Sequence, residues 1–297
     1  MSVPNAVVPV YMENVMPELG SSCRANAMPV TGTERRGPRQ IRKWPQFARH
    51  VRASGVPLLG KLDCFPNSVL VAGCQRSGTT MLARLITQSP GMVDYRFGPD
   101  DELDAALILS GYVEHPARGR YCFQTTYLNE RYREYFCHCN EHRSIWVIRN
   151  PYSVVYSLVH HWSRFAFTEL FDACGVQLLS ETEQQRYRRY GNWGISRLRR
   201  ACLCYQGKTS QLFEIVERMG KDRIMVVDYD ELVRDKARML PAIYRFIELP
   251  YKPEYGVAIG AHSLNKYSKL SAGEQMRIAR DCGPVYRRAR ALQPDPV

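Results

Sequence analysis

The sequence lacks the features that mark secreted, membrane-spanning and disordered chains. It contains no Asn-x-Ser/Thr acceptor and opens without a basic segment followed by an apolar one, so we expect no secretory signal. No window approaches the roughly 18 uncharged apolar residues that a membrane helix needs. Apolar residues make up 45% and charged residues 24% of the chain, which excludes a disordered or collagen-like protein. Together these absences predict a cytoplasmic globular protein.

Cysteine is present, but not in the density or spacing of a disulfide scaffold. Ten cysteines in 297 residues are too few for a small disulfide-dense domain, and several lie in apolar stretches where reduced thiols act as core residues. The group Cys137-His138-Cys139, with His142 close behind, is a conceivable metal site. It lacks a second CxxC or HxxxH pair, and we therefore predict no metal.

Charge of one sign predominates. Lysine and arginine number 41 against 29 acidic residues, a formal net charge of +12. This excess suits a nucleotide, an anionic substrate, nucleic acid or an acidic membrane surface, and its sign alone does not choose among them. We interpret residues 1–62 as a basic, partly helical N-terminal arm and 63–297 as the main domain. The basic stretch from Glu34 to Lys61 fits a solvated surface helix interrupted at Pro45, or a segment facing anions or a membrane.

Strand-like and helix-like segments alternate along the main domain. Four short apolar runs read as buried strands and are each followed by a polar loop and a helix-like segment: Ser68–Ala72, Tyr121–Thr126, Ser144–Ile148 and Ile224–Val227. This alternation is typical of a parallel sheet flanked by helices. We predict a P-loop-like, three-layer α/β/α fold with helical insertions, the main one at about 160–200.

A glycine-bounded loop follows the first predicted strand. Gly73 and Gly78 have the five-residue offset of a P-loop, G-x-x-x-x-G-K-[ST], but Thr79 stands where the lysine belongs. The nearest cation is Arg76, inside the loop. Backbone N–H groups in such a loop suit a phosphate, while the missing lysine argues against an ordinary nucleoside triphosphate.

This loop resembles the 5′-phosphosulfate loop of sulfotransferases that use 3′-phosphoadenylyl sulfate (PAPS). The resemblance rests on Gln75-Arg76-Ser77-Gly78-Thr79-Thr80, and its arginine is similar to the carbohydrate-type and bacterial branches. It implies that Arg76, Ser77, Gly78, Thr79 and Thr80 bind the 5′-phosphate.

Three later segments extend the resemblance in the same order along the chain. Arg149-Asn150-Pro151 with Ser157 is similar to the family's 3′-phosphate motif, which implies that Arg149 and Ser157 grip that phosphate. Tyr229-Asp230-Glu231-Leu232 resembles the Tyr-Glu-Asp-Leu strand end, which implies that Tyr229 packs on adenine. The segment 262–271 resembles the cofactor-covering segment without its Lys/Arg-x-Gly form, and Lys266 and Lys269 would reach the nucleotide.

The resemblance implies a transferase that moves a sulfuryl group from PAPS to an acceptor, releases 3′-phosphoadenosine 5′-phosphate (PAP), and requires no metal. The acceptor would be a hydroxyl group of a small molecule, lipid or sugar, and an amine is the second candidate. The acceptor needs a general base, and the candidates are Glu102, Asp101 and His115, in that order. The insertion at 160–200 would help to build the acceptor pocket.

Two other classes of function remain open from the residues. A P-loop kinase would use Asp228, at the end of the last apolar run, as a magnesium ligand. A non-catalytic nucleotide- or nucleic-acid-binding protein would explain the basic arm. We expect no nucleic-acid partner, and the sequence leaves peripheral membrane contact and the oligomeric state undetermined.

Overall fold

Four parallel strands form the central sheet of the computed structural model, which describes residues 41–138, 142–192, 194–260 and 264–294. In chain order they are β1 (Val69–Gly73), β2 (Cys122–Gln124), β3 (Arg143–Ile148) and β4 (Ile224–Asp228). They lie in the order β2-β1-β3-β4. Each strand overlaps the apolar run that predicted it, so the predicted parallel sheet is confirmed.

Helices cover both faces of the sheet. Those in the described part of the chain are α1 (Trp44–Ser54), α2 (Thr79–Thr87), α3 (Asp101–Leu109), α4 (Pro151–His160), α5 (Arg164–Leu170), α6 (Glu181–Tyr190), α7 (Arg197–Met219), α8 (Tyr229–Arg234), α9 (Lys236–Phe246) and α10 (Ala272–Arg290). Short 3₁₀ segments include Thr126–Cys137 and Leu264–Lys269, and a π-helical turn spans Phe171–Gly175. Within the described ranges, no helix is both long and apolar enough to span a bilayer.

Successive side chains along a strand lie on opposite faces of the sheet, and they pack into two separate cores. Val69 and Val71 of β1 pack with residues of α2, α8 and α9, whereas Leu70 and Ala72 pack with residues of α1, α3 and α7. Every residue of β1 is buried, as expected for a parallel strand covered on both faces. This arrangement is the predicted three-layer α/β/α fold, which is confirmed.

The basic helix α1 packs its apolar side on the main core. Phe47 is buried, and Trp44 Nε1 donates to Asp100 Oδ2 at 2.9 Å. Pro45 lies in the first turn of α1, where a missing N–H breaks no intrahelical hydrogen bond. Residues 1–40 of the predicted arm lie outside the described residues.

The strand order creates a crevice at the carboxyl ends of β1 and β3. The chain leaves β1 for β2 on one side and then crosses to β3 on the other side of β1. In open α/β sheets, ligands bind where the strand order reverses in this way. The loop after β1 and Arg149 after β3 therefore meet at this crevice.

Candidate functional site

The loop between β1 and α2 has the backbone shape of an anion-binding turn. Arg76 and Gly78 both have positive φ, 71° and 97°, and Gly78 caps α2. A Cβ atom on Gly78 would lie 2.1 Å from Cδ2 of Tyr229, so a side chain cannot be accommodated there. The loop thus presents the N-terminus of α2, where backbone N–H groups lack intrahelical partners.

Side chains from β2 and the segment after it hold the loop in place. Gln75 Nε2 donates to Thr126 O at 3.0 Å and to Asn129 Oδ1 at 2.9 Å. Thr79 Oγ1 accepts a hydrogen bond from Gln124 Nε2 at 3.2 Å. Because these partners are buried or half-buried, the loop is fixed before any ligand binds.

Ser77 carries a buried hydroxyl at the centre of the loop. The residue is fully buried, and its Oγ has no hydrogen-bond partner among the described residues. A buried polar atom left unsatisfied costs about 1–3 kcal/mol. A phosphate oxygen would remove that cost, whereas Thr80 lies exposed at the rim of the loop.

Arg149 joins the loop to the end of β4. It is 3% exposed, its Nε lies 3.4 Å from Asp230 Oδ1, and its Nη1 lies 3.4 Å from Arg76 O. Its guanidinium carbon stands 4.5 Å from the centroid of the Tyr229 ring. Residues from three separate loops are therefore in contact, as the crevice requires.

Lys266 reaches the same region from the 3₁₀ segment Leu264–Lys269. Its Nζ donates to Ser157 Oγ at 2.7 Å, and Ser157 donates to Ser153 O at 2.8 Å. Partial burial and the positive charges of Arg149 and Arg76 lower the pKa of Lys266 to about 8. Partial burial and the charge of Arg149 likewise lower the pKa of Arg76. An anion placed among these cations would relieve their repulsion.

A cleft of about 410 Å³ lies beside this cluster. Its walls come from the start of α4, from α8 and from the C-terminal part of the chain: Asn150, Tyr152, Asp230, Arg234, Leu264, Tyr267, Ser268 and Tyr286. Lys269 is exposed, with its Nζ 5.8 Å from the Tyr156 ring centroid. The first residues of the segment 262–271 lie outside the described residues.

Glu102, the first candidate base, lies against the loop frame. Its Oε1 accepts from Thr126 Oγ1, and its Oε2 accepts from Gln124 Nε2 at 3.3 Å. Burial raises the pKa of Glu102 to about 7, although the hydrogen bond from Thr126 acts in the opposite direction. A carboxyl that titrates near neutral pH is suited to general-base work.

The other two candidates lie in different surroundings. Asp101 is held by Arg84 through two hydrogen bonds of 2.6 and 3.0 Å, so its carboxylate is committed to an ion pair. His115 packs against Tyr121, at the amino end of β2, with ring centroids 5.5 Å apart. The loop stands at the carboxyl ends of the strands, and His115 is therefore at the opposite edge of the sheet.

Asp228 has structural partners on both carboxylate oxygens. Oδ1 accepts from the backbone N–H groups of Asp230 and Glu231, which caps α8. Oδ2 accepts from Tyr286 OH at 2.7 Å and pairs with Arg290 Nε at 3.2 Å. This arrangement favours a structural role over that of a magnesium ligand.

Three polar residues of the site were not predicted from the sequence. Asp230 orients Arg149 and Asn150, Gln124 links Thr79 to Glu102, and Lys208 lies buried in α7. Lys208 had a detectable signal, because it occupies a position of the apolar face of α7. No sequence signal marked Asp230 and Gln124 apart from their places near the ends of strands.

The fold and the site define a P-loop-like α/β protein with a candidate anion-binding loop at the carboxyl end of β1. A family model, the sulfotransferase domain, matches residues 66–282, well over half of the chain. The chain therefore belongs to the sulfotransferase domain family, and this membership supports sulfuryl transfer as its activity. No curated protein matches the chain.

Several solved structures are similar to this chain at low identity. A sulfotransferase from Alicyclobacillus acidocaldarius is 18% identical with a TM-score of 0.46, covering 76% of this chain and 95% of its own. A sulfotransferase domain from the curacin biosynthetic pathway is 14% identical with a TM-score of 0.47, covering 73% and 98%. A mouse sulfotransferase in complex with PAP is 15% identical with a TM-score of 0.44, covering 79% and 91%.

Proposed function

We propose that this protein transfers a sulfuryl group from PAPS to a hydroxyl of a small molecule, lipid or sugar, with an amine as second choice. The observation that carries the proposal is the convergence of Arg76, Arg149 and Lys266 beside the buried, partnerless hydroxyl of Ser77. Burial and neighbouring positive charge lower the pKa of Arg76 and of Lys266, so this cluster is suited to a ligand with several negative charges. Because the loop has an arginine at position 76, we propose that it is of the bacterial and carbohydrate-type branch.

PAPS supplies an activated sulfuryl group on its 5′-phosphate and a 3′-phosphate that distinguishes it from ATP. The N–H groups and hydroxyls from Ser77 to Thr80, with Arg76, would hold the 5′-phosphate. Arg149, Ser157 and Lys266 would hold the 3′-phosphate, since a guanidinium binds phosphate oxygens in pairs. Tyr229, in contact with both groups of residues, is the proposed neighbour of adenine, and Lys269 the proposed outer contact.

We assign the base to Glu102 rather than to Asp101 or His115. Its carboxylate would accept the acceptor's proton as the acceptor oxygen bonds to sulfur. Arg76 and the loop N–H groups would meet the charge that builds on the leaving phosphate. No residue in this scheme needs a metal. We also propose a cytoplasmic location, supported by the described cysteines, which are all free thiols.

Thermal unfolding with PAP tests the cofactor. A ligand at roughly 100 times its dissociation constant stabilises by about 2.7 kcal/mol, so we expect PAP to raise the Tm with or without EDTA. Arg149→Ala, compared with its own ligand-free Tm, should lose most of that shift, and Arg149→Lys should keep part of it. If ATP with magnesium stabilises and PAP does not, a kinase replaces this proposal. If neither stabilises, a non-catalytic binding protein does.

Arg143→Ala is the matched control. Arg143 begins the strand that Arg149 follows, and it pairs with Glu248 at the amino edge of the sheet. It shares the chemistry and the strand of Arg149 but not its end of the sheet. We expect this variant to retain the full PAP shift, and an equal loss in both variants would show that the effect is not local.

A further inference from the structure

A second cleft lies at the amino edge of the sheet, at the opposite end of the strands from the loop between β1 and α2. Its volume is about 770 Å³, and its lining includes Asn67, Arg120, Arg143, Asp222, Arg223 and Glu248. This volume is typical of sites for small molecules. Arg143 opens β3 and Arg149 follows its end, so the rise of a strand, about 3.3 Å per residue, separates the two sites by roughly 20 Å.

The starts of three strands each supply an arginine to this cleft. Arg120 lies just before β2, Arg143 is the first residue of β3, and Arg223 directly precedes β4. Hydrogen bonds of the sheet fix two of these positions: Arg143 N donates to Ser68 O at 3.2 Å, and Ser144 N donates to Arg223 O at 2.8 Å. Because the amino ends of parallel strands meet at one edge, the three guanidinium groups line the same cleft.

Hydrogen bonds to the surrounding backbone hold the arginine side chains in place. Arg120 Nε donates to Asn67 O at 2.6 Å, and its Nη1 lies 3.4 Å from Glu248 O. Arg143 Nη2 pairs with the Glu248 carboxylate. Arg223 Nε donates to the last carbonyl of α7 at 3.1 Å. A guanidinium group has more N–H donors than Arg120 and Arg143 use in these bonds, so both retain donors for a ligand.

Positive charge exceeds negative charge in the cleft. Three arginines line it against two acidic residues, Asp222 and Glu248. Burial lowers the pKa of Arg120, Glu248 opposes that effect, and the charge of Arg143 adds to it. The Glu248 side chain is 67% exposed, so its carboxylate is able to turn into water when an anion of higher charge enters.

We propose that this cleft is a second anion site, in which Arg120, Arg143 and Arg223 bind a small phosphate-bearing molecule. Guanidinium groups bind phosphate oxygens in pairs. A phosphate monoester at neutral pH carries more negative charge than the Glu248 carboxylate with which it competes. The cleft has more room than a bare phosphate fills, so a phosphate ester of a small polar molecule fits it. The proposal is independent of the proposed function, because none of its residues belongs to the loop or to the Arg149 cluster.

Calorimetric titration with pyrophosphate, without magnesium, tests the second site. The protein first receives one equivalent of PAP, which occupies the loop between β1 and α2 and leaves the cleft at the other edge open. We expect saturable binding of pyrophosphate that weakens as the salt concentration rises. Arg143→Ala should weaken this binding about tenfold or more, because it removes hydrogen bonds to a charged ligand. Arg223→Ala serves as the second variant if Arg143→Ala does not fold.

Two further variants separate a built site from general attraction to a basic protein. Arg218→Ala is the matched control, because Arg218 is an exposed arginine in the last turn of α7 that does not line the cleft. It removes the same charge and should leave pyrophosphate affinity nearly unchanged. Glu248→Gln should strengthen the binding, because it removes the carboxylate that pairs with Arg143.

The outcomes distinguish this site from the cofactor site. Absence of saturable pyrophosphate binding to the wild type would overturn the proposal, and so would equal weakening in Arg143→Ala and Arg218→Ala. Unchanged binding in both Arg143→Ala and Arg223→Ala would place the pyrophosphate elsewhere and would also overturn it. Arg143→Ala should keep the full effect of PAP on the Tm. If PAP does not bind the wild type, the proposed function fails, and the same titration without PAP still decides the second site.

Discussion

At the scale of single residues, a substitution of Ser77 should weaken ligand binding without lowering the stability of the fold. Its buried hydroxyl has no partner in the described part of the chain, so Ser77→Ala should leave the ligand-free Tm unchanged or slightly higher. A hydrogen bond to a charged group contributes about 1.5–3 kcal/mol, and we therefore expect PAP to bind about tenfold more weakly or worse. Calorimetric titration with PAP measures this loss.

Ser144→Ala provides the control for that prediction. Ser144 is also buried with a partnerless hydroxyl, but it lies near the amino end of β3, away from the loop. Its removal should leave PAP affinity unchanged. Equal losses at both serines would contradict the role given to Ser77.

The sequence alone did not show how the surroundings of Glu102 and Asp101 differ. They are neighbours in the first turn of α3, and one helical step of about 100° directs them to different partners. Asp101 meets Arg84, and Glu102 meets Thr126. Only the packing of α3 against β2 and α2 distinguishes a carboxylate in an ion pair from one that titrates near neutral pH.

At the scale of elements, the start of α4 couples helix stability to the cofactor site. Asn150 Oδ1 accepts from Ser153 N at 2.9 Å, and the side-chain Nδ2 of Asn150 donates to Asp230 Oδ2. Asn150→Ala removes the cap and a donor to a buried carboxylate, so unfolding free energy should fall by about 1–3 kcal/mol. PAP affinity should fall too, because Asp230 orients Arg149. Chemical denaturation and PAP titration check both effects.

Ser163→Ala is the control that measures the loss of stability from removing a helix N-cap alone. Ser163 caps α5 by accepting from Ala166 N at 3.2 Å, and it has no contact with Asp230 or Arg149 among the hydrogen bonds of the described residues. This variant should lose about 1 kcal/mol and bind PAP normally. A comparable loss of PAP affinity there would show that helix stability alone accounts for the effect at Asn150.

At the scale of the whole molecule, cations far apart in the chain are brought together and oppose one another. The pKa of Lys266, lowered to about 8 from 10.5, means that the unfolded chain holds more protons between these values. The ligand-free protein should therefore gain stability as pH rises from 8 to 10.5. PAP prefers the protonated lysine, so its affinity should fall as pH rises through about 8.

Proton uptake on binding measures this coupling directly. Calorimetry near pH 8 in buffers of different ionisation enthalpy should show PAP binding accompanied by proton uptake, since the bound phosphate restores the charge of Lys266. Lys266→Met should remove most of that uptake. Unchanged uptake in the variant would assign the proton to another group.

The sheet, the glycine-bounded loop after β1 and the order of the motifs could all be predicted from the sequence. Buried parallel strands need continuous apolar runs, and a loop that approaches a phosphate needs glycine at Gly78, so both leave local patterns. Arg149 could be predicted because it follows a strand at a set place in a motif. These properties depend on neighbours in the chain.

Which side chains contact one another became clear only from the folded structure. Lys208, Glu102 and Asp230 lie on different elements, and their burial and contacts come from residues distant in sequence. Burial and Coulombic coupling act through space, so no local pattern records them. For the same reason, only the structure shows that the Asp228 carboxylate accepts hydrogen bonds from α8 and α10. From the sequence, its place at the end of a strand also suggested a magnesium ligand.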